Sequence, residues 1–271
     1  METYKRNRQI LADADAGIVG ASNGLSITEG LHIFADNAAF EELFGDFRQK
    51  YGIRSILQGF FFCWPSEEER WAFLSRLAMH YSGSYQGSPV MDALISLIRD
   101  KPYFIVTSNG ENHFELAGLN PDRILEIEGS WKEFVCSAGC NTDRISSWEH
   151  LARMHEAEQD GKIPSDLILR CPHCNAPMRF PSEPEQKRVE AFQSFVKEYH
   201  NRKLVVLELG IGARNQLIKA PLMQLVYREP ESFYITFNKG EIYIPAQIQE
   251  RSIGVDGDLG EILPRLADGT C

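Results

Sequence analysis

Cys136 and Cys140 are separated by three residues, Cys171 and Cys174 by two, and 30 residues lie between the pairs. Each pair offers two thiolates from one tight turn, and four sulfurs at about 2.3 Å close a tetrahedral zinc site with no open position. Such a site is a folding device whose binding energy replaces the core that an insertion of ~50 residues cannot build alone. Ordinary buried thiols and an iron–sulfur cluster remain as alternatives, although clusters usually take more closely spaced ligands. His173 either replaces one cysteine or is a solvent-facing turn residue. Cys63 and Cys271 read as spares.

A second kind of chemistry lies in the glycines. Gly20-Ala21-Ser22-Asn23-Gly24 follows a strand candidate and precedes Leu25-Ser26, and Gly210-Ile211-Gly212 follows the apolar run 204–209. Strand, small residues, then helix is how nucleotide-binding folds bring backbone N–H groups to a pyrophosphate. Neither loop has the full G-x-G-x-x-G spacing, so each also reads as a plain tight turn. Thr107-Ser108-Asn109-Gly110-Glu111-Asn112-His113 is a third polar switch at a strand end, and ligands of open α/β sheets sit at that edge.

The elements that must position these groups alternate strand and helix, which predicts an α/β fold with a Rossmann-like parallel sheet and helices on both faces. Strands are expected at 15–20, 103–107, 204–209, 233–237 and 242–244. Helical periodicity runs through Phe34, Phe40, Leu43, Phe44 and Phe47. A capping box at Ser66 and Glu69 starts a second helix, and Ser88-Pro89 starts a third. Further helices are expected over 186–200 and 259–266. Residues 129–180 break the rhythm and read as a small zinc-ribbon domain folded around something other than hydrophobic mass. The Rossmann-like domain then comprises 1–128 and 181–271, with a helical insert at about 34–86.

With 28 Lys+Arg against 38 Asp+Glu, the net charge of −10 argues against a broad phosphate-binding surface and hence against nucleic acid as partner. The start of the chain lacks the apolar core of a secretory signal, and no run approaches the ~20 apolar residues of a membrane span. The expectation is a cytoplasmic protein without membrane attachment, where thiols stay reduced.

The glycine loop leading to Leu25-Ser26, the Thr-x-Asn strand end, the four-cysteine insertion and the later Gly-x-Gly together resemble the sirtuins, and among them the bacterial class M, or macrodomain-linked, branch. Likeness to that branch extends over 45–52, Trp71-Ala72-Phe73, Lys101-Pro102-Tyr103-Phe104, 207–212 and 255–259. The resemblance implies NAD as substrate and protein ADP-ribosylation as activity, with a lipoyl-carrier protein like the glycine-cleavage H protein as acceptor and a macrodomain protein as a further partner. It assigns Gly20, Ala21, Gly24 and Ser26 to the NAD pyrophosphate, with Gly210 and Gly212 on the later loop. It assigns Asn109 to the nicotinamide ribose, Glu111 to the nicotinamide carboxamide and Asn238 to the adenosine ribose. Ser22 stands where the family usually has glycine, and Glu111 where it has aspartate. At Glu128-Gly129, deacetylating sirtuins have histidine-glycine and class M members typically glutamine. A carboxylate there would stabilise the oxocarbenium-like charge that develops as nicotinamide leaves, which makes Asn109 and Glu128 the catalytic candidates. NAD-dependent lysine deacylation, and a degenerate fold that binds NAD or ADP-ribose without chemistry, are the alternatives.

Overall fold

The computed structural model describes residues 2–269, so Cys271 lies outside the described residues. Its frame is a six-stranded sheet of β1 (Ala16–Ala21), β2 (Tyr103–Thr107), β3 (Ile124–Glu126), β7 (Leu204–Leu209), β8 (Phe233–Asn238) and β9 (Ser252–Asp256). All pairings are parallel and the spatial order is β3-β2-β1-β7-β8-β9. Among the sheet's own strands this is the 3-2-1-4-5-6 order of the doubly wound folds, with the direction of winding reversing between β1 and β7. β1 and β7 are buried along their whole length, as parallel strands covered on both faces must be.

Alternate residues feed two cores. Val19, Ile105, Leu207 and Ile235 pack beneath α1 (Glu2–Asp13), α6 (Pro89–Ile98) and α11 (Leu259–Asp268), joined by the short α2 (Asn23–Thr28) and α7 (His113–Leu116). Ile18, Phe104, Val206 and Tyr234 face the opposite layer, α9 (Gln186–Glu198) and α10 (Gln216–Arg228). The expected Ser88 cap is present, its side chain accepting from the Met91 N–H at 3.1 Å. Ser66 likewise accepts from the Glu69 N–H at 3.3 Å and opens α5 (Glu67–Ala78).

Two expectations need correction. Residues 242–244 form no strand; the sixth strand is 252–256. Ile242 and Ile244 alternate because they lie over Gly254 of β9, where a Cβ would stand 2.4 Å from Ile242 Cγ2, and Pro245 follows at once. The helix expected from Phe34 begins at Ala38, capped by Asn37 (α3, Ala38–Tyr51), and Phe34 is exposed.

The segment 129–180 carries β4 (Glu133–Cys136), β5 (Ile145–Ser146) and β6 (Met178–Arg179), an antiparallel sheet of order β5-β4-β6, with α8 (Trp148–Glu156). It was expected to have little hydrophobic mass, yet Phe134, Leu151, Met154 and Met178 share one core with Phe44, Trp71 and Phe73 of the helical insert. Trp71 meets Phe134 edge-on at 5.1 Å and Phe44 lies 4.2 Å from Phe73. The signal was missed because each segment supplies only its half of the core. The short α4 (Ile56–Phe60) completes the insert.

Candidate active site and metal centre

Ala21, Thr107 and Glu126 are in register across β1, β2 and β3, and Ala21, Leu209 and Phe237 across β1, β7 and β8. Every loop singled out in the sequence therefore leaves the sheet at its carboxyl edge. There the two glycine loops cross in backbone contact. The Gly24 N–H donates to the Gly210 carbonyl at 3.0 Å, and a Cβ on Gly24 would stand 2.5 Å from Gly210 Cα. Gly210 also has φ +60, a conformation that glycine adopts without strain.

Gly20 has a different position. It lies inside β1, where a Cβ would come 2.3 Å from Leu222 Cδ1, so its missing side chain makes room for α10. Ala21, also buried, closes the strand. Gly212 faces Glu241, whose Oε2 accepts from the Ala213 N–H at 2.8 Å. The Asn238 side chain donates to the Glu241 carbonyl at 3.2 Å, tying the end of β8 to the same corner.

Between the loops sits a polar cluster that the sequence did not reveal. Ser22 and Ser108 hydroxyls are 2.9 Å apart, and Asn215 Nδ2 donates to both at 3.0 Å. Asn215 Oδ1 is buried without a partner. The available hint was an asparagine just before α10, three residues after Gly-x-Gly.

Asn23, Ser26, Ser108, Asn109, Glu111 and Glu128 line one cavity of about 460 Å³, walled on the small-lobe side by Trp131 and Phe180. Asn109 is buried; its Nδ2 donates to the Ser22 carbonyl at 3.2 Å, and its Oδ1 has no partner. Such an acceptor calls for a hydroxyl or amide from a ligand. Glu111 is buried too and accepts from the Ser26 hydroxyl at 2.6 Å. Burial pushes its carboxyl above the ordinary range, opposed by the nearby His113 charge and the Ser26 bond. Glu128 stands exposed at the rim, and partial burial raises its carboxyl. Gly129, at φ +85, lets the chain pass Pro181, whose carbonyl oxygen would lie 2.0 Å from a Cβ. Behind this crossing, burial pushes Glu126 up to about 7 although Lys132 Nζ lies 3.4 Å away. Hydroxyls and carboxamides at one end and carboxylates at the other suit a ligand with a diphosphate and a cationic, amide-bearing ring.

The four cysteines converge. Their sulfurs all lie within 4.8 Å of one another, with Cys136–Cys174 and Cys140–Cys171 at 3.5 Å. A tetrahedron with bonds of about 2.3 Å has edges of about 3.8 Å, so the set fits zinc. Asn141 Nδ2 donates to Cys140 Sγ at 3.1 Å, the kind of outer hydrogen bond that metal thiolates take. His173 turns away, its Nε2 2.9 Å from Asp143 Oδ2, and Cys63 is exposed and free.

The sequence matches no protein-family model. It is 30% identical over 268 residues to a protein ADP-ribosyltransferase of Staphylococcus aureus, covering 94% of this chain and 84% of that one. It is 27% identical over 286 positions to a probable bifunctional ADP-ribose hydrolase/ADP-ribosyltransferase of Fusarium oxysporum f. sp. cubense, covering 96% of this chain but only 47% of that protein. The chain thus spans about half the length of the fungal relative. Among solved structures, a Sir2 homologue in complex with NAD superposes with a TM-score of 0.66 at 16% identity, covering 98% of this chain and 93% of that one. A mutant Sir2 homologue in complex with ADP-ribose gives 0.65 at 15%, covering 98% and 95%. At such identities the likeness is one of fold.

Proposed function

Because the chain belongs to the protein ADP-ribosyltransferases with a sirtuin fold, we propose that it transfers ADP-ribose from NAD to a side chain of an acceptor protein and releases nicotinamide. The observation that carries this reading is the buried, unpartnered Asn109 Oδ1, in the cavity that also holds Glu111 and Glu128.

NAD brings an ADP-ribosyl group whose bond to a cationic pyridinium breaks heterolytically. The side chains of Ser22, Ser26, Ser108 and Asn215, set beside the crossing of Gly24 and Gly210, form the pyrophosphate cradle. Gly212, Asn238 and Glu241 flank the adenosine ribose. Asn109 orients the nicotinamide ribose through its free oxygen, and Glu111 accepts from the carboxamide of the leaving group. The C–N electron pair departs with nicotinamide, and the Glu128 carboxylate stabilises the positive charge left on the ribose. The acceptor nucleophile then bonds to the anomeric carbon and loses its proton to solvent.

The four cysteines hold a structural zinc that fixes the small lobe against the cleft. Thiolates of this kind persist in a reducing compartment, which supports a cytoplasmic location. As acceptor we propose a lipoyl-carrier protein of the glycine-cleavage H type; the exposed Phe61 and neighbouring Phe60 at the cavity mouth offer apolar surface to such an arm. The hydrolase activity named for the fungal relative supports a macrodomain protein as a second partner.

Incubation with labelled NAD and candidate lipoyl carriers tests the reading. Label should move to the carrier, and the Asn109→Ala, Glu128→Ala double variant should transfer it at least about a hundredfold more slowly. Undiminished transfer by that variant overturns the site assignment. O-acyl-ADP-ribose formed from acylated peptides overturns the activity in favour of deacylation.

A further inference from the structure

Behind the cavity floor lies a group of buried ionisable side chains for which the transfer itself has no use. Glu29, at the C-terminal end of α2, has a side chain 1% exposed, and that of His113 is 3% exposed. Glu29 Oε2 lies 2.9 Å from His113 Nδ1. Its Oε1 accepts from the Tyr85 hydroxyl at 2.7 Å and the Ser88 hydroxyl at 2.5 Å, so the carboxylate is ionised and fully engaged. The second ring nitrogen, Nε2, lies 2.8 Å from the Tyr81 carbonyl. A carbonyl oxygen and an ionised carboxylate both only accept. An imidazole held between two acceptors carries hydrogen on both nitrogens and is therefore a cation. The Tyr85 ring stacks on it at 3.9 Å, a contact that favours the charged form.

Glu111 lies two residues before His113 and is fixed on both its backbone and its side chain. The Ser82 hydroxyl donates to its carbonyl at 2.7 Å, and the Ser26 hydroxyl to its Oε1 at 2.6 Å. Burial of Glu29 would raise its carboxyl, but bonds from His113, Ser88 and Tyr85 bring it below the ordinary range. Burial opposes the charge on His113, and Glu29 and Glu111 outweigh it. Without the imidazolium, two carboxylates would share one dry pocket and one would take up a proton.

We propose that Glu29 and His113 are positioning residues for Glu111: the imidazolium, locked between the Glu29 carboxylate and the Tyr81 carbonyl, keeps the Glu111 carboxylate charged and aimed at the carboxamide of the departing nicotinamide. The proposal rests on the reading of Glu111 as the carboxamide acceptor. NAD carries the nicotinamide and ADP-ribose lacks it, so the pair of ligands isolates this end of the cleft.

Calorimetric affinities for both ligands, measured on the full chain as wild type, Glu111→Gln, His113→Gln and Glu29→Gln, decide the matter. His113→Gln and Glu29→Gln should each weaken NAD about tenfold, the scale of one charge-assisted hydrogen bond, and leave ADP-ribose unchanged. Loss of both ligands alike, or of neither, overturns the proposal. Should Glu111→Gln leave NAD affinity intact, the reading of Glu111 itself fails and the positioning role with it. If Glu111→Gln weakens NAD while His113→Gln does not, only the positioning role fails. A wild-type pH series covers a variant that does not fold. NAD affinity should fall as pH rises past the ordinary imidazole range and the imidazolium is lost, while ADP-ribose affinity stays level, and a NAD curve that stays level into the alkaline range overturns the proposal.

Discussion

Two acid–base pairs are buried to the same degree in this molecule and have opposite relations to the cleft. Glu208 of β7 and Lys219 of α10 have side chains 0% and 2% exposed and bond to each other. Glu208 also accepts from the hydroxyls of Tyr234 and of Thr236, the latter at 2.9 Å. Every partner comes from the sheet or from the helix covering it, and neither residue lines the cavity that holds Asn109. The Glu29–His113 pair is as dry, but its cation lies beside Glu111, a carboxylate on the cavity wall. Burial and charge alone therefore do not mark function. What separates the two clusters is whether one member faces a ligand.

The largest effect expected from this contrast is on stability. Lys219→Ala strands Glu208 as an unpaired buried charge, and breaking such a pair destabilises by about 3 to 5 kcal/mol. Urea unfolding should show that loss, while NAD and ADP-ribose affinities of the folded variant stay at wild-type values. Weakened NAD binding by folded Lys219→Ala would erase the distinction between the two clusters.

Glu126 is an intermediate case, buried beside the cleft crossing and pushed up to about 7. The folded state holds its proton more tightly than the unfolded chain does, so between pH 4.5 and about 7 folding takes up a proton and stability falls as pH rises. A displacement of that size corresponds to about 3 kcal/mol. Asn112 Nδ2 donates to Glu126 Oε1, a bond that Glu126→Gln should keep while it flattens this part of the pH–stability curve, so that the variant gains on the parent at pH 8 and not at pH 4.5. An unchanged slope would mean that Lys132 already neutralises the burial.

The pair behind the cavity has a two-sided signature, because one member is lowered and the other raised. Glu29 is lowered, so its contribution is present above the unfolded value of 4.5 and is lost as pH falls through the folded value. His113 is raised, so its contribution is present below 6.5 and is lost as pH rises through its folded value. Glu29→Gln should therefore destabilise by about 1 to 3 kcal/mol near pH 5.5 and by progressively less as pH rises and His113 loses its proton, as a thermal-unfolding series over pH would read.

The two clusters also differ in how legible they were. Apolar runs such as 204–209 announce a parallel sheet because both faces of each strand are covered, and the caps at Ser66 and Ser88 are local hydrogen bonds written in adjacent residues. The cysteine quartet could be read from spacing alone. β9 could not, because it is a short edge strand, largely exposed, in which Gly254 supplies no side chain and leaves room for Ile242. The Glu29–His113 bond joins residues 84 apart and the Asn215–Ser22 bond residues 193 apart; no periodicity encodes such contacts. The space left by the missing Gly20 side chain is taken by Leu222 of α10, and a small residue at a strand end serves a helix as well as a phosphate.

The smallest effect falls on Ser88, where the two kinds of role meet in one hydroxyl. It accepts from the Met91 N–H as the cap of α6 and donates to Glu29 Oε1. Ser88→Ala removes both bonds and should destabilise by about 1 kcal/mol, the usual worth of a cap. Glu29 keeps Tyr85 and His113, so the imidazolium stays clamped and the affinities for NAD and ADP-ribose should both persist. Ser88→Thr, which retains the hydroxyl, should restore the stability. If Ser88→Ala instead lowers NAD affinity as far as His113→Gln does, Ser88 would belong to the positioning cluster and not to its supporting rim. The functional boundary would then run one residue further from the cleft, at the start of α6.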